Sequence, residues 1–438
     1  MKNVSELKGY FNFHQQGRVN FEDLLSSFLN CRVNIQIHKI EEFEKGMGID
    51  ITSNIMRNCY TWGARKDEII IVPKVFSNDH NVLAILPIRL SGPGIHTFPQ
   101  KYLDRITKAI SVCLTECAKS RFQNSTTIFG PEFEFIIIPY CLTSNSKETK
   151  KFSYLVSLIS KLSRTTFESN EFSTAFIYTR SGHEYSRNIR SGTLLRLKNT
   201  YNILKAVGID KRFWYLCDGI YSAYIINNNF EITSMYLRDG TSHGFLDGYS
   251  WRYTLQGADI LFRVTGLNQI SIIDSDGIEL CFSENKWKIR NYNTIINIIE
   301  ENSGIAHEVV DALISNIIFC SQNKISSIIW LPKNIEKISD FLVKEEMHFK
   351  RPISIKNSQN KSIVERIISS DGVSIIDNIG NIIAHGSIVS LNKVDNKGLV
   401  GTGESAAKLL AHNGVAIKIS QDGNIKVLYS NGEKMLIF

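Results

Sequence analysis

Apolar residues along this chain fall into short runs and helical stripes, separated by polar turns. Ile69-Ile70-Ile71-Val72-Pro73 and the run over 82–87 are apolar stretches closed by proline, which predicts buried strands. Ser91-Gly92-Pro93-Gly94 reads as a turn. Leu103, Ile106, Ile110, Cys113 and Leu114 recur at helical spacing and predict an amphipathic helix over 102–117. The apolar run Phe135-Ile136-Ile137-Ile138 predicts a strand over 134–140, and the polar residues 143–147 a loop and domain boundary. A helix is expected over 152–162 and a strand over 172–178, followed by a loop at Ser181-Gly182-His183-Glu184. The stretch 193–207 has a helix-like pattern, and Gly208 suits its C-cap.

Beyond residue 213 the pattern turns to strands. Residues 221–226 and the stretch from Phe230 flank the turn Asn227-Asn228-Asn229, and 270–273 and 278–281 flank Asp274-Ser275-Asp276-Gly277. Trp251 and Trp287 in this block read as sheet-packing aromatics, with a ligand pocket as the alternative. A helix is expected over 305–319, a strand over 325–330 and a helix over 335–343. The tetrapeptide Ser-Ile-Ile-Asp occurs at Ser271 and again at Ser374, each time opening a strand-turn-strand unit. Hairpin chemistry explains the recurrence better than a tandem repeat.

The 438 residues exceed one typical core and imply several domains. They are read as an α+β region over 1–145, a strand-rich α+β region over 146–300 and a C-terminal domain over 301–438. Together they make a mixed α/β chain whose last domain holds a central mixed sheet flanked by helices. With 43% hydrophobic and 21% charged residues, the composition is globular. The formal charge of +7, from 50 basic and 43 acidic residues, suits an anionic ligand, but a bland basic surface is the commoner reading of so weak an excess. No block of like charge suggests specific nucleic-acid binding. No run reaches the ~18 apolar residues of a membrane span. The N-terminus lacks the apolar stretch of a secretory signal, and the eight cysteines are scattered without a CxxC pair. These features predict a cytoplasmic, reduced protein without a membrane partner.

Two segments carry candidate chemistry. Asp371-Gly372 stands at the mouth of an expected buried strand that turns at 378–381 and returns over 382–386. A carboxylate so placed can hold a metal or take a proton from a hydroxyl, although Asp-Gly is also a common turn dipeptide. Gly401-Thr402-Gly403-Glu404-Ser405-Ala406-Ala407-Lys408 runs from a glycine-rich turn into a helix. Backbone N–H groups at such a start can cradle phosphate, with the hydroxyls of Thr402 and Ser405 and the charge of Lys408 beside them. The other reading is a plain helix cap with Thr402 or Ser405 at the N-cap and Lys408 in water. A hairpin over 414–429, turning at Gln421-Asp422-Gly423, closes the domain. His183, His243, His385 and His412 read as satisfied or surface residues, with His385 nearest the candidate chemistry.

This order, with Asp371-Gly372-Val373 before the first hairpin and Gly401-Thr402 and Ala406-Ala407 opening the helix, resembles the diadenylate cyclase domain of the DNA-integrity scanning protein and its relatives. The resemblance covers about residues 305–438 and is strongest from Asp371. It implies a nucleotidyltransferase that joins two molecules of ATP, or a related nucleotide, into a cyclic dinucleotide. It also implies Mg²⁺ or Mn²⁺ and a face-to-face pair of domains, hence a homo-oligomer. Asp371 would serve the metal and the attacking 3′-hydroxyl. Gly372, Gly401, Thr402, Gly403, Ser405 and Lys408 would bind the nucleotide. The preceding residues would be a sensor region. The chain departs from the family where an Arg-His-Arg core is replaced by Gly403-Glu404-Ser405, and Ser420-Gln421-Asp422 stands where an acidic pair is usual. Three readings follow: Glu404 joins Asp371 as a second metal ligand and catalytic residue, the domain binds a nucleotide without turning it over, or the domain is a structural relic.

Overall fold

The computed structural model describes residues 15–35, 59–60, 68–76, 82–119, 131–143, 145–168, 170–171, 173–180, 192–204, 211–238, 248–344, 348–390 and 401–437. Its class is mixed α/β, as the sequence pattern implies. The loop expected at 181–184, with His183, lies outside the described residues, as do His243 and the helix end at 207–208.

The chain divides into two compact units. One comprises residues 1–165, 266–270 and 280–291; the other comprises 166–265, 271–279 and 292–438. The expected boundaries at 145/146 and 300/301 do not coincide with this division. In the first unit, Arg32–Ile35, Ile88–Ser91, Glu68–Ile71 and Cys59–Tyr60 form an antiparallel sheet in that spatial order. The helix Gln100–Lys119 matches its sequence pattern, and its stripe of Leu103, Ile106 and Ile110 is fully buried. The strand expected at 134–140 is instead part of the helix Pro131–Leu142. That helix packs between Gln100–Lys119 and Ser146–Ser163, so it is apolar on more than one side. A run of four apolar residues has no period with which to announce this. Among residues 143–147, Asn145 caps the following helix, accepting from Lys147 N at 3.0 Å.

The second unit begins with a sheet in the order Gly192–Asn202, Glu231–Arg238, Ser222–Ile226, Thr174–Tyr178, Ile260–Gly266. The helix expected over 193–207 is a correction, because Gly192–Asn202 is a strand at the edge of this sheet. It pairs antiparallel with Glu231–Arg238 and shifts register between Arg196 and Tyr201. Ladder hydrogen bonds to a neighbour far away in sequence override a weak local helical pattern. Trp251 is fully buried against this sheet, as expected of a packing aromatic. Trp287, in the first unit, is also fully buried.

Elements of the C-terminal part are labelled here in chain order. Helices α1 (Tyr292–Ser303) and α2 (His307–Gln322) precede strand β1 (Ser327–Pro332). The helix expected over 335–343 is a short 3₁₀ turn, Ile335–Asp340, followed by strand β2 (Leu342–Lys344). Strand β3 (His348–Ser354) and helix α3 (Lys361–Ile368) follow. Then come β4 (Val373–Ile376), β5 (Asn381–Val389), α4 (Thr402–Leu410), β6 (Gly414–Ile419), β7 (Ile425–Tyr429) and β8 (Lys434–Ile437). The sheet order is β2-β5-β4-β1-β6-β7-β8, with β3 also paired to β5. Strand β1 runs parallel to β4 and antiparallel to β6.

Alternate residues of these strands face two separate cores. One core joins Ile329, Leu331, Ile376, Val415, Ile417, Ile419 and Val427 to α1, α2 and α3. The other joins Ile328, Trp330, Val373, Ile375, Ala416 and Leu428 to Ala406, Ala407, Leu409 and Leu410 of α4. The small alanines let α4 lie close to the sheet.

The repeated tetrapeptide builds the same turn twice. Asp274 Oδ1 accepts from Asp276 N at 3.0 Å and from Ile278 N at 3.3 Å. Asp377 Oδ1 accepts from Ile379 N at 3.1 Å and from Asn381 N at 2.7 Å. Gly277 and Gly380 complete the two turns at φ 76° and 89°.

Candidate functional site

Asp371 and Gly372 precede β4, as the sequence implies, and Asp371 is exposed there. Its Oδ1 accepts from Gly372 N at 3.0 Å. Gly372 has φ 89°, and a Cβ on it would stand 2.6 Å from the backbone carbon of Gly386. The glycine therefore serves the close approach of β4 and β5 at the strand mouth.

The second segment forms α4 with Gly401 at its N-cap, and no side chain caps this start. The expectation that Thr402 or Ser405 is the N-cap is corrected: Thr402 opens the helix and Ser405 lies in its first turn. Glu404 N and Ser405 N donate to Gly401 O at 3.0 and 3.1 Å. Gly401 and Thr402 are exposed, Gly403, Glu404 and Lys408 are half-buried, and Ser405 is buried. The Ser405 hydroxyl thus lies beneath the surface that Gly401 and Thr402 present.

The second segment meets a residue that sequence reasoning missed. Lys418, on β6, lies next to Gly403: a Cβ there would be 3.0 Å from Lys418 Cε and 3.3 Å from Nζ. Lys418 Nζ donates to Ser326 Oγ at 2.6 Å, just before β1. Partial burial pushes the Lys418 ammonium below its ordinary value, and the negative charge of Asp371 pulls the other way. Ser326 and Gly403 therefore flank one ammonium, and Lys418, Ile328 and Val373 stand in one row across β6, β1 and β4, so that Asp371 precedes the strand on the far side of β1.

Lys426, on β7, is the register partner of Lys418. Its Nζ donates to Glu404 Oε2 at 2.6 Å, while Lys408 Nζ stands 3.5 Å from Glu404 Oε1. These contacts hold the Glu404 carboxyl below the usual carboxylate range, with the Lys426 hydrogen bond as the largest cause. Glu404 also lies in the first turn of α4, where the helix dipole favours a negative charge.

Two lysines of the β6–β7 hairpin thus reach the first turn of α4. A signal for this exists in the sequence. In Val415-Ala416-Ile417-Lys418-Ile419 the lysine falls on the same face as Ala416, and Lys426 falls on the same face as Leu428. A lysine at an inward position of a half-buried strand needs a partner or an anion.

Mg²⁺ or Mn²⁺ between Asp371 and Glu404 does not suit this arrangement. The ion would have to take Glu404 from Lys426 and accept Lys418 as a close neighbour, which is repulsive between cations. Among the described residues no group of three His, Cys, Asp or Glu side chains could hold a metal ion. His385 lies buried on β5, and His412 is exposed with Nδ1 3.1 Å from both Lys408 O and Leu409 O. No helix of the described residues is long and apolar enough to cross a membrane. Comparison with known protein families finds no family model that matches the chain, and comparison with curated proteins finds no match either.

Proposed function

We propose that the C-terminal domain is a nucleotide-binding module that holds ATP or a related nucleotide by its phosphates at the start of α4. The observation that carries this reading is Lys418 packed against Gly403 in the first turn of α4, on the row that runs across β1 to the strand opened by Asp371-Gly372. The phosphate ligands would be backbone N–H groups around Thr402 and Gly403, with Lys418 and Lys426 supplying charge. Asp371, exposed at the mouth of β4, would accept from a ribose hydroxyl. The residues that precede the domain would receive the signal of the bound nucleotide.

Turnover to a cyclic dinucleotide is the second reading, and the exposure of Asp371 at a strand mouth favours it. It requires two domains face to face, because each supplies one nucleotide, so a homo-oligomer belongs to this reading. The engagement of Glu404 by two lysines favours binding over turnover.

Calorimetric titration of the full chain with each of the four NTPs tests the proposal. Saturable binding of at least one, weakened about 10–100-fold in Lys418→Met, is the expected result, since a charge-assisted contact contributes about 1.5–3 kcal/mol. No binding of any NTP overturns it. A product that forms in the presence of Mg²⁺ or Mn²⁺ and disappears in Asp371→Asn would establish turnover instead.

A further inference from the structure

Lys418 and Lys426 stand directly opposite each other on β6 and β7. Like charges so placed repel. Glu404 offsets that repulsion. Its Oε2 takes Lys426 at 2.6 Å and its Oε1 lies 3.5 Å from Lys408. The carboxylate is half-buried rather than turned to water, with 22% of its side chain exposed, and Lys426 has 29% exposed. A carboxylate between lysines at a helix start occupies the place that a phosphate oxygen would take in the reading above.

We infer that Glu404 is an internal occupant of the phosphate subsite, and that a ligand phosphate binds by displacing its carboxylate from Lys426. The inference rests on the nucleotide-site reading and specifies its selectivity. A single carboxylate carries one negative charge, whereas a terminal phosphate carries close to two at pH 7. Polyphosphate ligands therefore outcompete Glu404, while monoanions do not. The site stays closed to small carboxylates and opens to the phosphate chain of a nucleoside triphosphate. The same exchange frees Glu404, so ligand binding alters the first turn of α4 without any rearrangement of the sheet.

Titration of the full-length chain with inorganic tripolyphosphate and with ATP tests this. Glu404→Gln keeps the shape and one oxygen acceptor but removes the charge, and it is expected to tighten both ligands about tenfold. Lys426→Met is expected to weaken both. The combined variant Glu404→Gln/Lys426→Met is expected to bind no tighter than Lys426→Met alone, because Lys426 is the group from which the ligand displaces Glu404. A gain from Glu404→Gln that persists unchanged beside Lys426→Met reflects general charge repulsion and overturns displacement. Unchanged or weaker binding in Glu404→Gln also overturns it, and leaves the nucleotide site standing if Lys418→Met still weakens ATP. A chain that binds neither ligand overturns both readings. Unfolding curves for each variant confirm that the folded protein is being titrated.

Discussion

The two faces of the C-terminal sheet are made by the same strands and have different tasks. On one face β6 presents Val415, Ile417 and Ile419, all fully buried beneath aliphatic helices. On the other it presents Ala416 and then Lys418, under a helix of alanines and leucines whose start carries Gly403 and Glu404. The side-chain period of two separates them so sharply that adjacent residues belong to different problems. The first face supplies stability through buried area. The second gives up some of that burial, at one end only, where Lys418, Lys426 and Glu404 gather at the start of α4. The candidate site is thus the part of the sheet where the apolar alternation is interrupted.

Substitutions at neighbouring positions test this division. Ile417→Ala opens a cavity in the sealed face and is expected to cost about 2–5 kcal/mol of unfolding free energy by denaturant titration. Lys418→Met should change stability by less than about 1 kcal/mol, since the ammonium is half-exposed and its loss removes an exposed contact to Ser326. Comparable destabilisation by the two substitutions would erase the distinction between the faces.

The other sheet of the second unit provides a control, because it carries a buried charge without a candidate site. Burial pushes the Asp259 carboxyl up to about 6, against hydrogen bonds with Thr179 and from Gln256 N. A raised carboxyl binds its proton more tightly in the folded state. Its contribution is therefore fully present below the ordinary value of 3.8 and is lost as pH rises through about 6. Unfolding free energy measured across that window should decline by on the order of 2–3 kcal/mol in the native chain, and Asp259→Asn should remove the decline. An unchanged slope in Asp259→Asn would assign the pH dependence elsewhere.

A smaller effect is expected where the backbone is tight. Gly372→Ala places a Cβ against Gly386 at a positive φ, and about 1–3 kcal/mol of destabilisation is expected in a thermal unfolding series. If Gly372→Ala is neutral, the close approach of β4 and β5 is not what fixes the strand mouth.

Much of this domain could be read from its sequence, for physical reasons that differ by residue. Asp274-Ser275-Asp276-Gly277 and Asp377-Asn378-Ile379-Gly380 announce their hairpins because an aspartate that binds backbone N–H groups and a glycine at positive φ are local requirements. The helix from Thr402 was legible from its small residues and its leucines. Residues 134–140 were misread because a short apolar run looks the same in a strand and in a helix packed between helices. Gly192–Asn202 was misread because edge pairing is decided by a distant strand. Helix α3 went unannounced behind the polar residues 357–361. At the site, Asp371 and Gly403 were legible as separate turns. Lys418 and Lys426 were not, because each looks like an ordinary strand lysine until the register of β6 with β7 and the position of α4 are known.

The central claim is that Lys418, on the interrupted face, anchors an anionic ligand while its neighbour Ile417 does not. The most direct measurement is the ATP dissociation constant of the native chain, Lys418→Met and Ile417→Ala, each at a temperature where it is fully folded. The account predicts a loss of about 10–100-fold in Lys418→Met and a near-native value in Ile417→Ala. Equal affinity in the native chain and Lys418→Met would contradict it.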